Sequence, residues 1–373
     1  MKYYIIKFVV IKNTEIYFIR QFREDIKMNT NGKNLNRKGK KKVKKVKKKK
    51  KNFLLTIVSF LIFEALFTAC TFPFILLYGP FNEAKKMWVG AAMTSLSHQW
   101  LATTFLSDEK IAEIQGTNNN TQTNEITNVS DIQIPTVKDD TIEAQKIKSD
   151  NGKYEGYYLI IKDPTRVKVG YSSKLNTEGE TTSQIAENNN AIAAINGGGF
   201  VDSSSSAQWT GNGGKPTGLI MSNGTVVSSD IGGDTGKADM LAFTKEGKML
   251  VGHYNIRQLR EMGAQEALSF NPILISNGKK LPINVEWGIA PRTAIGQRQD
   301  GAVILLVIDG RSIVGSKGAS LTELQEVMYK LGAYNAINLD GGKSTTMYYE
   351  GQVINNPSNS MGERPIPSAI IVK

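Results

Sequence analysis

One cysteine and two histidines among 373 residues remove several kinds of chemistry at once. Cys70 has no partner for an intrachain disulfide. His98 and His253, with that single thiol, form no Cys/His spacing able to hold zinc. Both histidines fall outside the polar motifs described below, so a Ser nucleophile lacks an evident base. No internal repeat is present. The residues from Asn52 onward also lack the basic excess that the whole-chain charge of +12 suggests. Thirteen of the 46 Lys/Arg lie between residues 33 and 51, without one acid, and residues 1–27 add three more net positive charges. The remainder is mildly acidic, which removes the electrostatic case for nucleic-acid binding.

What is abundant is apolar sequence directly after that basic block. Phe53 to Phe81 is nearly continuous in hydrophobic residues, interrupted by Glu64, and exceeds the roughly 20 residues that span a bilayer. It reads as one transmembrane helix over 52–81. A basic flank stays inside, so residues 1–51 form a cytoplasmic tail and the C-terminal domain is extracytoplasmic, making a single-pass plasma-membrane protein. A cleaved signal peptide has the same charge order, but its apolar core is shorter, about 7 to 15 residues. Phe67-Thr68-Ala69-Cys70 is similar to a lipoprotein cleavage site, yet the apolar run continues past it. An exported domain without a disulfide fits a bacterial envelope. Met28, directly before the basic stretch, is an alternative start to Met1.

Residues 82–150 divide into a segment with helix-like apolar spacing, Asn82 to Gln115, and a polar stretch, Gly116 to Asp150, read as a linker. Trp88 and Trp100 suit an outer membrane interface; packing on the domain or on a second copy accounts for the same spacing. Residues 151–373 then alternate short strands with turn signals, such as Asn223-Gly224, Asn277-Gly278 and Asp300-Gly301. Helices are expected at Ile256 to Ala267 and Ser320 to Leu331, the second with a Ser320/Glu323 capping pattern and a stop at Gly332. The expected fold class is α+β, with a mainly antiparallel sheet and few helices.

Three apolar strands end in polar, glycine-containing turns. Asn196-Gly197-Gly198-Gly199-Phe200 follows Ala191 to Ile195, Asp309-Gly310-Arg311 follows Ala302 to Ile308, and Asp340-Gly341-Gly342-Lys343-Ser344-Thr345-Thr346 follows Ala336 to Leu339. Each turn offers carboxylates, amides or hydroxyls at one point, which suggests one shared site. Gly342-Lys343-Ser344 is not a nucleotide-binding P-loop: Ile337 stands where that motif needs its first glycine, and a strand-like run follows.

In this order, these motifs together with Asn271-Pro272-Ile273-Leu274-Ile275 and Arg292-Thr293-Ala294-Ile295-Gly296 resemble the phosphodiester glycosidase family. The resemblance covers roughly Tyr157 to Lys373, including Asn356-Pro357-Ser358 and Glu363-Arg364. The family usually has a third glycine where this chain has Lys343. The resemblance implies cleavage of a bond between a sugar C1 and a phosphodiester oxygen. A departing phosphate monoester, with a second pKa near 6, needs little protonation, so the paired carboxylates of ordinary glycosidases are less necessary.

On that chemistry Asp340 is the first choice for a carboxylate near the cationic sugar carbon or its attacking water, with an Asx-type turn as its structural alternative. Arg292 offers a planar fork to phosphate oxygens, or else an internal ion pair. Asp309 and Arg311 form a second acid and base, or a salt bridge. Asn196, Gly197, Gly198, Gly341, Gly342, Lys343, Ser344, Thr345, Glu363 and Arg364 complete the expected substrate contacts, with a tight backbone turn alone as the equal alternative for Asn196 and Gly197 to Gly199. No cofactor is firmly implied; Asp202, Asp309 and Asp340 are candidate ligands for calcium. The expected activity is hydrolysis of a sugar-1-phosphate diester in a cell-surface glycopolymer, with a glycan or sugar-phosphate partner and no nucleic acid. The alternatives are a noncatalytic glycan-binding module in polymer assembly and a structural membrane protein acting through Asn82 to Gln115.

Overall fold

The structure, a computed structural model, describes residues 42–93, 99–115, 127–201, 212–283, 287–312, 315–359 and 361–373. It divides into two compact units, Met1–Phe72 and Pro73–Lys373. The first unit consists, in its described part, of most of the helix Lys42–Tyr78. Within that helix Phe53–Tyr78 is 26 residues long, and by length and composition it is able to cross a membrane. The helix stops at Tyr78, three residues before the apolar run does.

The second unit is α+β, and every named strand pairing in it is antiparallel. The central sheet runs, in spatial order, Ile142–Lys148, Glu155–Ile161, Val303–Ile308, Arg292–Arg298, Ala333–Leu339, Ile273–Ser276 and Lys279–Lys280. A second sheet is ordered Gln352–Val353, Met347–Tyr349, Ala193–Asn196, Ser368–Val372 and Val167–Tyr171. The third is ordered Thr225–Ser229, Leu219–Ser222, Ala264–Ser269, Lys237–Thr244 and Met249–Asn255.

Burial on both faces explains why Val303–Ile308 is an unbroken apolar run, with all six residues buried. One face of the central sheet packs Ile304, Leu306 and Ile308 against Leu321, Leu324 and Met328 of the helix Leu321–Lys330. Its other face packs Leu305, Val307, Ile337 and Leu339 with Val169, Ile195 and Ile370 of the second sheet and Leu241, Phe243 and Val251 of the third. Glu266 pins those last two sheets together: its buried carboxylate accepts from the Val169 amide at 3.0 Å and the Asn223 amide at 3.3 Å.

Two expectations change. The helix at Ile256 ends at Glu261, because Gly263 takes a left-handed φ of 76° and Ala264–Ser269 then extends as a strand of the third sheet. The stretch read as a linker contains Ile142–Lys148, which pairs along its whole length with Glu155–Ile161. Its alternation is weak because an edge strand with exposed residues needs little apolar sequence. The helix Leu321–Lys330 has the expected capping box between Ser320 and Glu323.

Candidate functional site

The register of three neighbouring strands brings two polar turns to one sheet end. Arg292 pairs with Ile308 and Thr293 with Leu339, so Asp309 and Asp340 follow directly from strands on either side of Arg292–Arg298. Two strand spacings separate those chain ends, roughly 10 Å at the backbone. Met347 pairs with Ile195, which returns the chain beyond Asp340 to the third turn, after Asn196. The three motifs thus meet.

Asn196 is the joint. It is fully buried, its side-chain amide donates to the Asp340 carbonyl, and its oxygen accepts from Thr293 Oγ1 at 2.7 Å and the Thr346 amide at 3.1 Å. Expected to meet substrate, it instead spends its hydrogen bonds on the protein. Gly197 and Gly198 do likewise: their amides donate to the Ser368 carbonyl at 2.9 Å and to Ser368 Oγ at 3.1 Å. A Cβ on Gly197 would sit 2.7 Å from Ser368 Oγ, so glycine there permits backbone contact rather than ligand contact.

Arg292 is also turned inward. Only 4% exposed, it donates through Nε to the Ala319 carbonyl at 3.0 Å and through Nη2 to the Gly288 carbonyl at 2.5 Å. Its fork holds two loops together instead of standing open to phosphate.

Arg311 is the arginine that faces the Asp340 turn. It is solvent-exposed, adopts a φ of 58°, and its guanidinium lies over Gly342, where a Cβ would be 3.3 Å from Nη2. Gly342 itself has a φ of 63°, a conformation suited to glycine. Loss of water around the guanidinium lowers the Arg311 pKa, and the negative charge of Asp340 opposes that shift. Asp340 is half-buried, with its amide donating to the Gly197 carbonyl at 3.1 Å.

Asp309 is 7% exposed. Its Oδ1 accepts from Asn355 Nδ2 at 2.9 Å and from the Asn356 amide at 3.0 Å. Burial pushes its carboxyl pKa up; those two hydrogen bonds oppose the rise, Glu155 adds to it and Lys146 pulls against it. Asn355 also donates to the Thr345 carbonyl at 3.2 Å and accepts from the Met347 amide at 2.7 Å. It therefore ties Asp309 to the turn that carries Asp340. Nothing in its composition distinguishes Asn355; its adjacency to the Asn356-Pro357-Ser358 motif was the available signal.

The hydroxyls divide by orientation. Ser344, Thr345 and Thr346 are each 1% exposed, behind the turn rather than on it. Thr345 Oγ1 meets Thr293 Oγ1 at 3.4 Å, while Ser344 Oγ and Thr346 Oγ1 have no hydrogen-bond partner among the described residues. Lys343 is exposed on the 3-10 turn Gly342–Ser344. Asp340, the two glycines, Lys343 and Arg311 make up the solvent-facing part.

Residues 189–373 match the phosphodiester glycosidase family. That part of the chain is a phosphodiester glycosidase domain. A Bacillus subtilis prophage-derived protein, YomE, is 30% identical over 224 residues, which is 56% of this chain and 31% of YomE. Bovine N-acetylglucosamine-1-phosphodiester alpha-N-acetylglucosaminidase is 39% identical over 71 residues, 19% of this chain and 13% of the enzyme. The chain thus spans less than a third of either relative. The fold matches the zebrafish catalytic domain of that enzyme, auto-inhibited by its pro-peptide, with a TM-score of 0.52 and 21% identity over 72% of this chain and 94% of that one.

Two further residues of the expected set have partners of their own. Glu363 accepts from the Ser183 amide at 3.0 Å and from Ser183 Oγ, in the first turn of the helix Thr182–Asn188. Arg364 stacks over the Phe200 ring at 4.7 Å, beside the glycine turn. Asp202 and His98 lie outside the described residues. His253 Nδ1 is 3.0 Å from Asp239 Oδ1 in the third sheet. Among the described residues no three His, Cys, Asp or Glu side chains gather closely enough to hold a metal ion.

Proposed function

We propose that the glycosidase domain hydrolyses a sugar-1-phosphate diester, outside the cell, in a surface glycopolymer. The observation that carries this reading is the placement of exposed Arg311 over Gly342, in the turn that Asp340 opens. A guanidinium beside a carboxylate supplies both charges the reaction needs. Arg311 would hold the diester oxygens and stabilise negative charge as the phosphate departs. Asp340 would sit against the positive character developing at C1, or take a proton from the attacking water. The C1–oxygen bond breaks, water supplies the new C1 hydroxyl, and a free sugar and a phosphate monoester leave. Lys343 adds positive charge at the same turn. The acidic balance of the chain beyond Asn52 fits a site that selects phosphate by local cations rather than by overall charge.

The test is release of free sugar from a synthetic N-acetylglucosamine 1-phosphate methyl diester by the full chain. Asp340→Asn should melt like the parent and lose on the order of 10²-fold or more in rate. Arg311→Ala should fall similarly with its fold intact. An inert parent, or an Asp340→Asn variant as active as the parent, overturns the assignment.

A further inference from the structure

The stretch after the apolar helix is a folded element with its own small core. Leu77 of the helix is buried together with Val89, Ala92, Ala102, Leu106 and Ile111. The same packing brings Phe105 edge-on to Phe74, with ring centroids 5.4 Å apart, and Tyr78 donates its hydroxyl to the Phe105 carbonyl. The chain therefore folds back onto the last turns of the helix it has just left.

That contact fixes a depth. The 26 residues Phe53–Tyr78 extend about 39 Å as a helix, against a hydrocarbon core of about 30 Å. The excess length carries the helix end into the headgroup layer, and Phe74 lies only about 6 Å of helix rise before Tyr78. A segment packed on Phe74, Leu77 and Tyr78 lies at that same level. Its uncovered apolar side chains suit the location: Trp100 is 58% exposed, Phe81 50% and Met87 50%. Trp88 is turned inward, donating Nε1–H to the Leu101 carbonyl at 3.3 Å.

We infer that the helices Asn82–Met93, Trp100–Thr103 and Asp108–Gln115 form a platform seated in the headgroup layer of the bilayer, with Trp100 as its lipid-facing anchor. Indole rings favour this layer because they combine an apolar body with a hydrogen-bond donor. The inference rests on the reading of Phe53–Tyr78 as a membrane span. The platform also touches the domain: a Cβ on Gly288 would lie 3.3 Å from Ala91 Cβ, and the Gly288 carbonyl is the one that receives Arg292. The seated platform thus keeps the domain close to lipid, within reach of a glycan phosphate still attached to the membrane.

Full chain and its Trp100→Phe variant, reconstituted in phosphatidylcholine vesicles with lipid brominated near the headgroup or near the chain terminus, test this. The parent's tryptophan fluorescence should be quenched more by the shallow label, and Trp100→Phe should lose about half of the quenched fraction. Chain retained through alkaline extraction, but with an unchanged quenched fraction in the variant or stronger quenching by the deep label, overturns the platform while leaving the span intact. Release of the parent on extraction overturns the span and the platform together.

Discussion

Asp309 differs from Asp340 in what water can reach. Its carboxyl is buried against Asn355 and the Asn356 amide, and burial outweighs those donors, so its pKa is raised. A raised folded pKa means ionisation opposes folding. The favourable contribution is complete below the ordinary aspartate value, about 3.9, and is lost as pH rises through the folded value. Asp309→Asn cannot ionise, and its oxygen can still accept from Asn355. The melting temperature of this variant relative to the parent should therefore climb as pH rises from about 4 until the folded carboxyl ionises, and then level off. A difference that stays flat over that range would show that burial does not govern this carboxyl.

The elements around the site are held by few groups across long sequence separations. Asn196, at the end of a strand of the second sheet, receives Thr293 of the central sheet and the Thr346 amide while donating to the Asp340 carbonyl. Asn196→Ala strands these partners in a buried space, and a loss of about 3 kcal/mol is expected on the scale of 1–3 for each buried group left unpaired. Urea unfolding measures it as a lower midpoint with an unchanged slope. The residual folded fraction should also lose hydrolysis, because the Asp340 turn would no longer be fixed. An Asn196→Ala variant of parental stability would mean the turn is held by its glycine contacts alone.

For the whole molecule, the distribution of charge and apolar sequence governs topology. The lysine-rich block precedes the apolar helix, and residues beyond Asn52 carry no basic excess to compete with it. Protease added to intact cells should remove the glycosidase domain and leave the N-terminal tail protected. Complete protection of the domain would reverse the orientation, and a soluble form starting near Asn82 would identify the apolar helix as a cleaved signal.

Local periodicity and turn chemistry sufficed for the apolar span, for most strands, for the Ser320 cap and for the three polar strand ends. Each is set by neighbours a few residues away. The helix expected through Ala267 failed at Gly263, where a left-handed glycine let a strand win by pairing with Leu219–Ser222 and Lys237–Thr244. Which side chains of the three motifs remain open was decided only in the tertiary structure. The sequence favours Arg292 over Arg311 for phosphate, yet Arg292 meets the carbonyls of Gly288 and Ala319 while Arg311 lies over Gly342. Asn355 acquires its role from Asp309, 46 residues earlier, and Asn196 from a turn 144 residues later. Hydrogen bonds of that span depend on strand register, and register follows from burying both faces of the central sheet, a property of the folded chain that no local window contains.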